Sequence, residues 1–446
     1  MRVVGDKVAG FTEVSPDFFQ ATHFVISDDS AVERLLQYIR IPSVSGDGPN
    51  GSYDECAVWL KGYLEEVGLT VQVFSPVENK PIVLATWQGK DPSLPSILLN
   101  SHYDVVPVVR EHWKHDPFNP TVLEDGMIYG RGTQDMKSVG VQYVEAVYRL
   151  KTAGFVPSRN IHLLYVPDEE NGTGDGMEAF LTSEQYKSIQ PIALAFHEGL
   201  ANPNDVFTVF YGERVAWWFY VKATGPTGHG SRFIENTATS KIIEICNKAL
   251  AFRAEQETLL NADSGCKHGD MKKRNLGDVT TVNLTMLQSG VSQDGGKTHA
   301  LNVIPTEAVA GFDVRISPHT DLKKFKAMLD EWCSAEGLSW EFVSWWKNPL
   351  HEHYTTSVDD TNVWWKLLKE GCEEIGVPVE AEVFPAATDS CFLRQLGIPA
   401  FGFSPMNKTE ILLHEHNECL HKDTFLRGID VYETLFRRMF AYAGAN

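Results

Sequence analysis

Short apolar runs in this chain end again and again in acids or imidazoles, and that pattern restricts the fold more than any other feature. The run Ile161 to Val166 is followed by Pro167-Asp168-Glu169-Glu170-Asn171-Gly172, so two adjacent carboxylates stand where a strand gives way to a Gly-rich loop. The run Ile97-Leu98-Leu99 ends in Ser101-His102-Tyr103-Asp104. Gly130-Arg131-Gly132-Thr133-Gln134-Asp135-Met136-Lys137 comes next, and His414-Glu415-His416-Asn417-Glu418 lies far downstream. Strands that deliver polar groups at their ends suit an open α/β sheet, in which ligands bind beyond the carboxyl ends of the strands.

The flanking periodicity agrees. Helices are expected at Ala31 to Ile39, capped by Asp28, Asp29 or Ser30, and at Cys56 to Val67, stopped by Gly68. Strands follow at Thr70 to Phe74, Ile82 to Trp87 and Ser96 to Asn100, then a helix at Val139 to Lys151 and strands at Ile161 to Val166 and Ile192 to Phe196. This alternation predicts an α/β fold with helices on both faces of a sheet. From about Glu213 the order becomes strand Val215 to Ala223, helix Ala238 to Leu260, strands Val279 to Leu287 and Ala308 to Ile316, helix Leu322 to Ser334 and strand Leu338 to Trp345. That β-α-β-β-α-β order is ferredoxin-like. Helix Asn362 to Ile375, strand Val379 to Val383, a helix from Asp389 and strand Ala400 to Phe403 return to the α/β texture. The expected organisation is an extension over 1–29, an α/β unit over 30–211, an inserted α+β unit over 212–350 and the rest of the α/β unit over 351–446.

The 446 residues fit two domains, and 43% hydrophobic content is ample for a large core. A net charge of −20 argues against nucleic acid or an anionic membrane as partner. The seven cysteines (56, 246, 266, 333, 372, 391 and 419) form no Cys-x-x-Cys, which points to a reducing compartment. No run approaches the roughly 18 apolar residues of a membrane span, and Met1 to Gln20 lacks the apolar core of a signal peptide. The expectation is a cytoplasmic protein, with the Asn-x-Ser/Thr sequons at Asn50, Asn171, Asn283 and Asn407 as chance matches.

His102, Glu169, Glu170 and Glu198 each follow an expected strand. Any one alone reads as a solvated loop residue; several in register read as a site. His102 and Asp104, two apart, face the same way on extended chain, so Asp104 can orient a metal-bound His102 with its carboxylate. Glu169 and Glu170 face differently, so one can bind metal while the other moves protons. Trp217-Trp218, Trp345-Trp346 and Trp364-Trp365 read as packing, His416 and His421 as supporting or surface groups, and Gly290 to Gly296 as a hairpin loop.

The set His-x-Asp, Gly-x-x-Asp-Met-Lys, Glu-Glu, Glu-Gly and His-x-x-x-Glu resembles the two-zinc metallopeptidase family of the aminoacylases, glutamate carboxypeptidase and succinyl-diaminopimelate desuccinylase. The resemblance runs from about residue 31 almost to the end, is close to the aminoacylases, and takes in Ala201-Asn202-Pro203 and Gly402 to Asn407. It implies a mixed sheet carrying the site, with the inserted unit as lid and dimerisation domain. It also implies two zinc ions per subunit: His102 and Glu198 on one, His414 and Glu170 on the other, and Asp135 between them. Glu169 would be the general base. His229, from the lid of a partner subunit in a homodimer, would stabilise the tetrahedral intermediate. Asn302 and Arg315 would bind the substrate carboxylate. The implied reaction is hydrolysis of an N-acyl-L-amino acid, a small molecule, to a carboxylic acid and a free L-amino acid. Cobalt or manganese also suits mixed His and carboxylate ligands.

Two positions depart from the family pattern. His197 stands where aminoacylases have Asp, and is a possible ligand in place of Glu198. Cys391 stands where Arg is frequent, and Arg394 would cover part of that charge. The rival expectations are a dipeptidase or carboxypeptidase of the same family, and a non-catalytic binding protein on this fold.

Overall fold

A computed structural model describes residues 27–47, 51–172, 174–262, 274–344 and 349–444. Residues 1–26 of the expected extension, Asn50, Cys266 and Trp345-Trp346 lie outside these. The first described helix, Asp28–Arg40, is capped by Ser27 rather than by the three residues expected: the Ser27 side chain accepts from the Ser30 amide and the Ser30 side chain reaches back. Its face of Val32, Leu35, Leu36 and Ile39 is buried.

The large sheet has eight strands, in spatial order Thr70–Val77, Lys80–Trp87, Ile161–Val166, Ser96–His102, Ile192–His197, Ala400–Phe403, Phe207–Glu213 and Val379–Phe384. It is mixed. The four strands from Ile161–Val166 to Ala400–Phe403 run parallel, so their carboxyl ends share one edge. Helices Tyr53–Glu66, Lys137–Thr152, Val363–Ile375 and Lys422–Ala441 cover the sheet, and the strands Ser96–His102 and Ile161–Val166 are buried along their whole length. A second cluster under the sheet joins Leu98 and Leu164 to Phe180 and Leu393.

The smaller sheet lies wholly within 215–342, in spatial order Thr281–Ser289, Glu307–Ile316, Val215–Thr224 and Leu338–Phe342, all neighbours antiparallel. Helices Ala238–Asn261 and Leu322–Trp332 pack on it around Trp217, Phe219, Phe312 and Phe325. This is the ferredoxin-like arrangement. Trp217, Trp364 and Trp365 are buried packing residues. Among the elements beyond the expected set are the strand Phe207–Glu213 and the long helix Lys422–Ala441. Among the described residues no helix is long and apolar enough to cross a membrane.

Candidate metal centre

His102 ends its strand at the shared carboxyl edge, in register with Val166, and is wholly buried. Its Nδ1 lies 2.9 Å from the backbone carbonyl of Asp104. A carbonyl only accepts, so Nδ1 carries the proton and Nε2 presents its lone pair. That Nε2 faces Asp135 Oδ1 at 3.1 Å and Glu198 Oε2 at 3.2 Å. Three potential ligand atoms thus converge in a buried place, an arrangement that suits a metal cation.

A second convergence adjoins the first. The other oxygen of Asp135, Oδ2, lies 3.3 Å from His414 Nε2, and Glu170 Oε2 lies 2.9 Å from the same nitrogen. Asp135 therefore turns one oxygen to each histidine. The two sets, His102-Asp135-Glu198 and Asp135-Glu170-His414, are the groups of three or more potential ligands found among the described residues. Separations of 2.9–3.3 Å between donor atoms are close to the edges of a tetrahedron with metal–ligand bonds of about 2.0–2.2 Å. The residues fit a pair of divalent ions.

The electrostatics agree. Burial, then Asp135, pushes Glu170 up to about 7. Asp135 and Glu170 hold the His414 imidazole up at about 10. Burial and the neighbouring Asp135 push Glu198 well above the usual carboxylate range. Glu170 Oε1 is buried without a hydrogen-bond partner among the described residues. The three carboxylates gathered round two imidazoles are a donor set that divalent cations would neutralise.

Glu169 belongs to neither set. Burial, then Glu198 and Asp389, raises its proton affinity well above that of an ordinary carboxylate. The turn that presents it is tightly held. Asp168 sits at φ 58°, and its carboxylate accepts from Tyr53 at 2.6 Å and from Lys80.

Asp104 acts differently from the expectation. Its carboxylate is 3.5 Å from His102 Nδ1, beyond the carbonyl that holds the ring. The carboxylate instead accepts from the backbone N–H groups of Glu169 and Glu170, each at 3.2 Å, and from the Ser45 hydroxyl at 2.6 Å. Between His197 and Glu198, the chain brings Glu198 to the first set. His197 is buried, with neither ring nitrogen hydrogen-bonded among the described residues, 3.7 Å from Glu198 Oε1 and 3.8 Å from Asp389 Oδ2.

Arg394, expected to cover part of a substrate-binding charge, is turned to protein partners in this structure. It is buried, paired with Glu213 at 3.1 Å, and its remaining donors go to the carbonyls of Phe210 and Ala400. The guanidinium ties the Phe207–Glu213 strand to its neighbour. Burial, then Glu213 and Asp389, pushes the Cys391 thiol well above its ordinary value, which disfavours the thiolate.

In the smaller unit, His229 pairs in a two-residue ladder with Val303, is exposed, and has Nδ1 2.8 Å from the Ser231 hydroxyl. Asn302 is exposed beside it. Arg315 pairs with Asp313 at 2.8 Å and lies over the Trp218 ring at 4.9 Å. None of these three has a hydrogen bond or ion pair, among the described contacts, to the two ligand sets. His416 and His421 are surface groups, on His112 and on the Asp125 carbonyl.

One residue to which the sequence reading gives no role is Glu418. It is wholly buried. Its Oε1 accepts from the backbone N–H groups of Gly132 (3.1 Å), Gln134 (2.6 Å) and Asp135 (3.2 Å), and its Oε2 from Arg131 (2.8 Å). The loop closes round this carboxylate because Gly132 takes φ +96°, where a side chain would be strained.

A model of Peptidase family M20/M25/M40 matches residues 98–438. Aminoacylase-1 of Mus musculus is 45% identical over 411 residues, covering 92% of this chain and 95% of that protein. In fold, an M20 family metallo-carboxypeptidase from Sulfolobus solfataricus superposes with a TM-score of 0.67 at 21% identity, covering 92% of this chain and 99% of that one. A dinuclear metal binding peptidase of Bacillus subtilis superposes with a TM-score of 0.63 at 14% identity, over 93% and 98%. The chain belongs to peptidase family M20/M25/M40, a family of amide-bond hydrolases.

Proposed function

We propose that the chain is a two-metal aminoacylase that hydrolyses N-acyl-L-amino acids to a carboxylic acid and a free L-amino acid. The observation that carries the two-metal reading is the position of Asp135, one oxygen toward His102 and the other toward His414. Likeness to Aminoacylase-1 across nearly the whole chain supports the substrate class. His102, Glu198 and Asp135 would hold one ion and His414, Glu170 and Asp135 the other, with zinc the best match to these donors. Bound there, the ions supply Lewis acidity to the carbonyl and to the attacking water.

The chain's own groups do the rest. Glu169, a carboxylate with raised proton affinity, takes a proton from the water as its oxygen bonds to the acyl carbon. It returns that proton to the amide nitrogen as the C–N bond breaks. The developing oxyanion needs a donor. His229 would reach it from a partner subunit in a homodimer assembled through the inserted unit. Asn302 and Arg315 would receive the substrate carboxylate. A cytoplasmic setting suits the scattered free thiols.

A substrate comparison tests this reading. Metal-loaded enzyme should turn over N-acetyl-methionine in preference to an unblocked dipeptide, and a panel from acetyl to long-chain acyl groups would define the acyl site. Preference for the free dipeptide would point to a dipeptidase or carboxypeptidase. Turnover of neither, with both metals bound, would favour a binding protein.

A further inference from the structure

The two ions of the proposed centre are held by unequal scaffolds. His102 ends one sheet strand and Glu198 directly follows another, so hydrogen-bonded ladders place both. His414 lies on chain with no regular structure, is 48% exposed at its side chain, and takes φ 59°, a left-handed backbone that a side chain disfavours. Something other than a sheet must hold it.

We infer that the buried Arg131–Glu418 pair is a positioning device for the His414-side metal position, setting its affinity apart from that of the His102 side. The inference rests on the two-metal reading above. Arg131 and Glu418 lie 2.8 Å apart at 2% and 0% exposure. Glu418 accepts the Asp135 N–H at 3.2 Å, and the other arm of Arg131 donates to the His414 carbonyl at 3.3 Å. One ion pair thus grips the backbones of two of the three residues on that side. Gln134 adds a clasp between the same loops, donating to the carbonyls of Glu410 and Cys419 and accepting from the Leu412 N–H. Loosening the pair leaves the His102 side with two strand-end ligands, and the His414 side with Glu170 alone.

Glu418→Gln keeps size but turns an amide N–H toward Arg131 or the loop donors. Arg131→Lys keeps the charge but cannot span Glu418 and the His414 carbonyl together. Groups that orient ligands are worth about 10–100-fold in metal affinity. Zinc titration of chelator-treated full-length protein, with elemental analysis after dialysis, reads the two ions separately, and circular dichroism reports folding.

In Glu418→Gln the His414-side ion should weaken by about 10–100-fold, and more than the other ion, whose one ligand affected by the change is the shared Asp135. Arg131→Lys should shift the same ion less, and decides the matter if the first variant does not fold. KM for substrate at saturating zinc should not change. Two ions at wild-type affinity in both variants would overturn the inference, as would equal weakening of both. A wild-type chain that binds one ion would remove the two-metal reading, and this inference with it.

Discussion

The backbone carbonyl of Asp104 holds the ring of His102 at 2.9 Å, while the Asp104 carboxylate turns away to the N–H groups of Glu169 and Glu170. One residue therefore sets the tautomer of a proposed ligand and the position of the proposed base through different atoms. Asp104→Asn leaves the carbonyl in place but halves the acceptors facing the Glu169-Glu170 turn. Both metals should stay bound while kcat falls by about 10–100-fold. Loss of the His102-side ion would instead show that the carboxylate orients the ring.

Glu198 and His197 make opposite predictions. Glu198 Oε2 faces His102 Nε2 at 3.2 Å, whereas His197 stands behind it. Glu198→Ala should weaken one zinc, and His197→Ala should leave metal content near that of wild type. Elemental analysis decides, and zinc loss confined to His197→Ala would reverse the assignment.

His162 predicts a pH dependence of stability remote from the site. It is buried on the sheet with Nδ1 3.0 Å from the Thr86 hydroxyl, and burial lowers its pKa from 6.5 to about 4. Between these values the unfolded chain takes up a proton that the folded chain refuses. This contribution is therefore complete above about pH 6.5 and is lost as pH falls toward about 4. At about pH 5 the loss is about 2 kcal/mol. Urea unfolding of metal-free protein at two pH values, with and without His162→Gln, should show a shallower acid loss in the variant. Equal slopes would contradict it.

Subunit complementation tests the shared site. Glu169→Gln alone should lose about 10²–10⁴-fold in turnover. Mixed with inactive His229→Ala and allowed to exchange, it should form dimers with one intact site. Recovery approaching about a quarter of wild type is expected for a two-fold dimer. A monomer in solution, or no recovery after proven exchange, would contradict the arrangement.

Much of this is legible in the sequence because apolar runs announce strands and the residues after them announce a site. Glu169, Glu170 and His102 come to one edge for that reason. The ferredoxin-like order also follows from local periodicity. The helix Lys422–Ala441 carries its signal in the four-and-three spacing of Phe425, Ile429, Tyr432 and Phe436. The cap of the first helix is ambiguous because Ser27, Asp28, Asp29 and Ser30 can all accept from an exposed amide, and only backbone geometry selects Ser27. The role of Glu418 is illegible locally. Its partners lie some 284 residues upstream, and no spacing rule says a carboxylate will fold back onto them. The pairing of Arg394 with Glu213, 181 residues away, is illegible for the same reason.

The central claim is that five side chains hold two ions on which amide hydrolysis depends. Its most direct test is turnover of N-acetyl-methionine by chelator-stripped enzyme as zinc is returned in measured amounts. Activity should be absent at the start, rise with bound metal and saturate at two ions per chain. Full activity in the stripped enzyme, or saturation at a single ion, would contradict it.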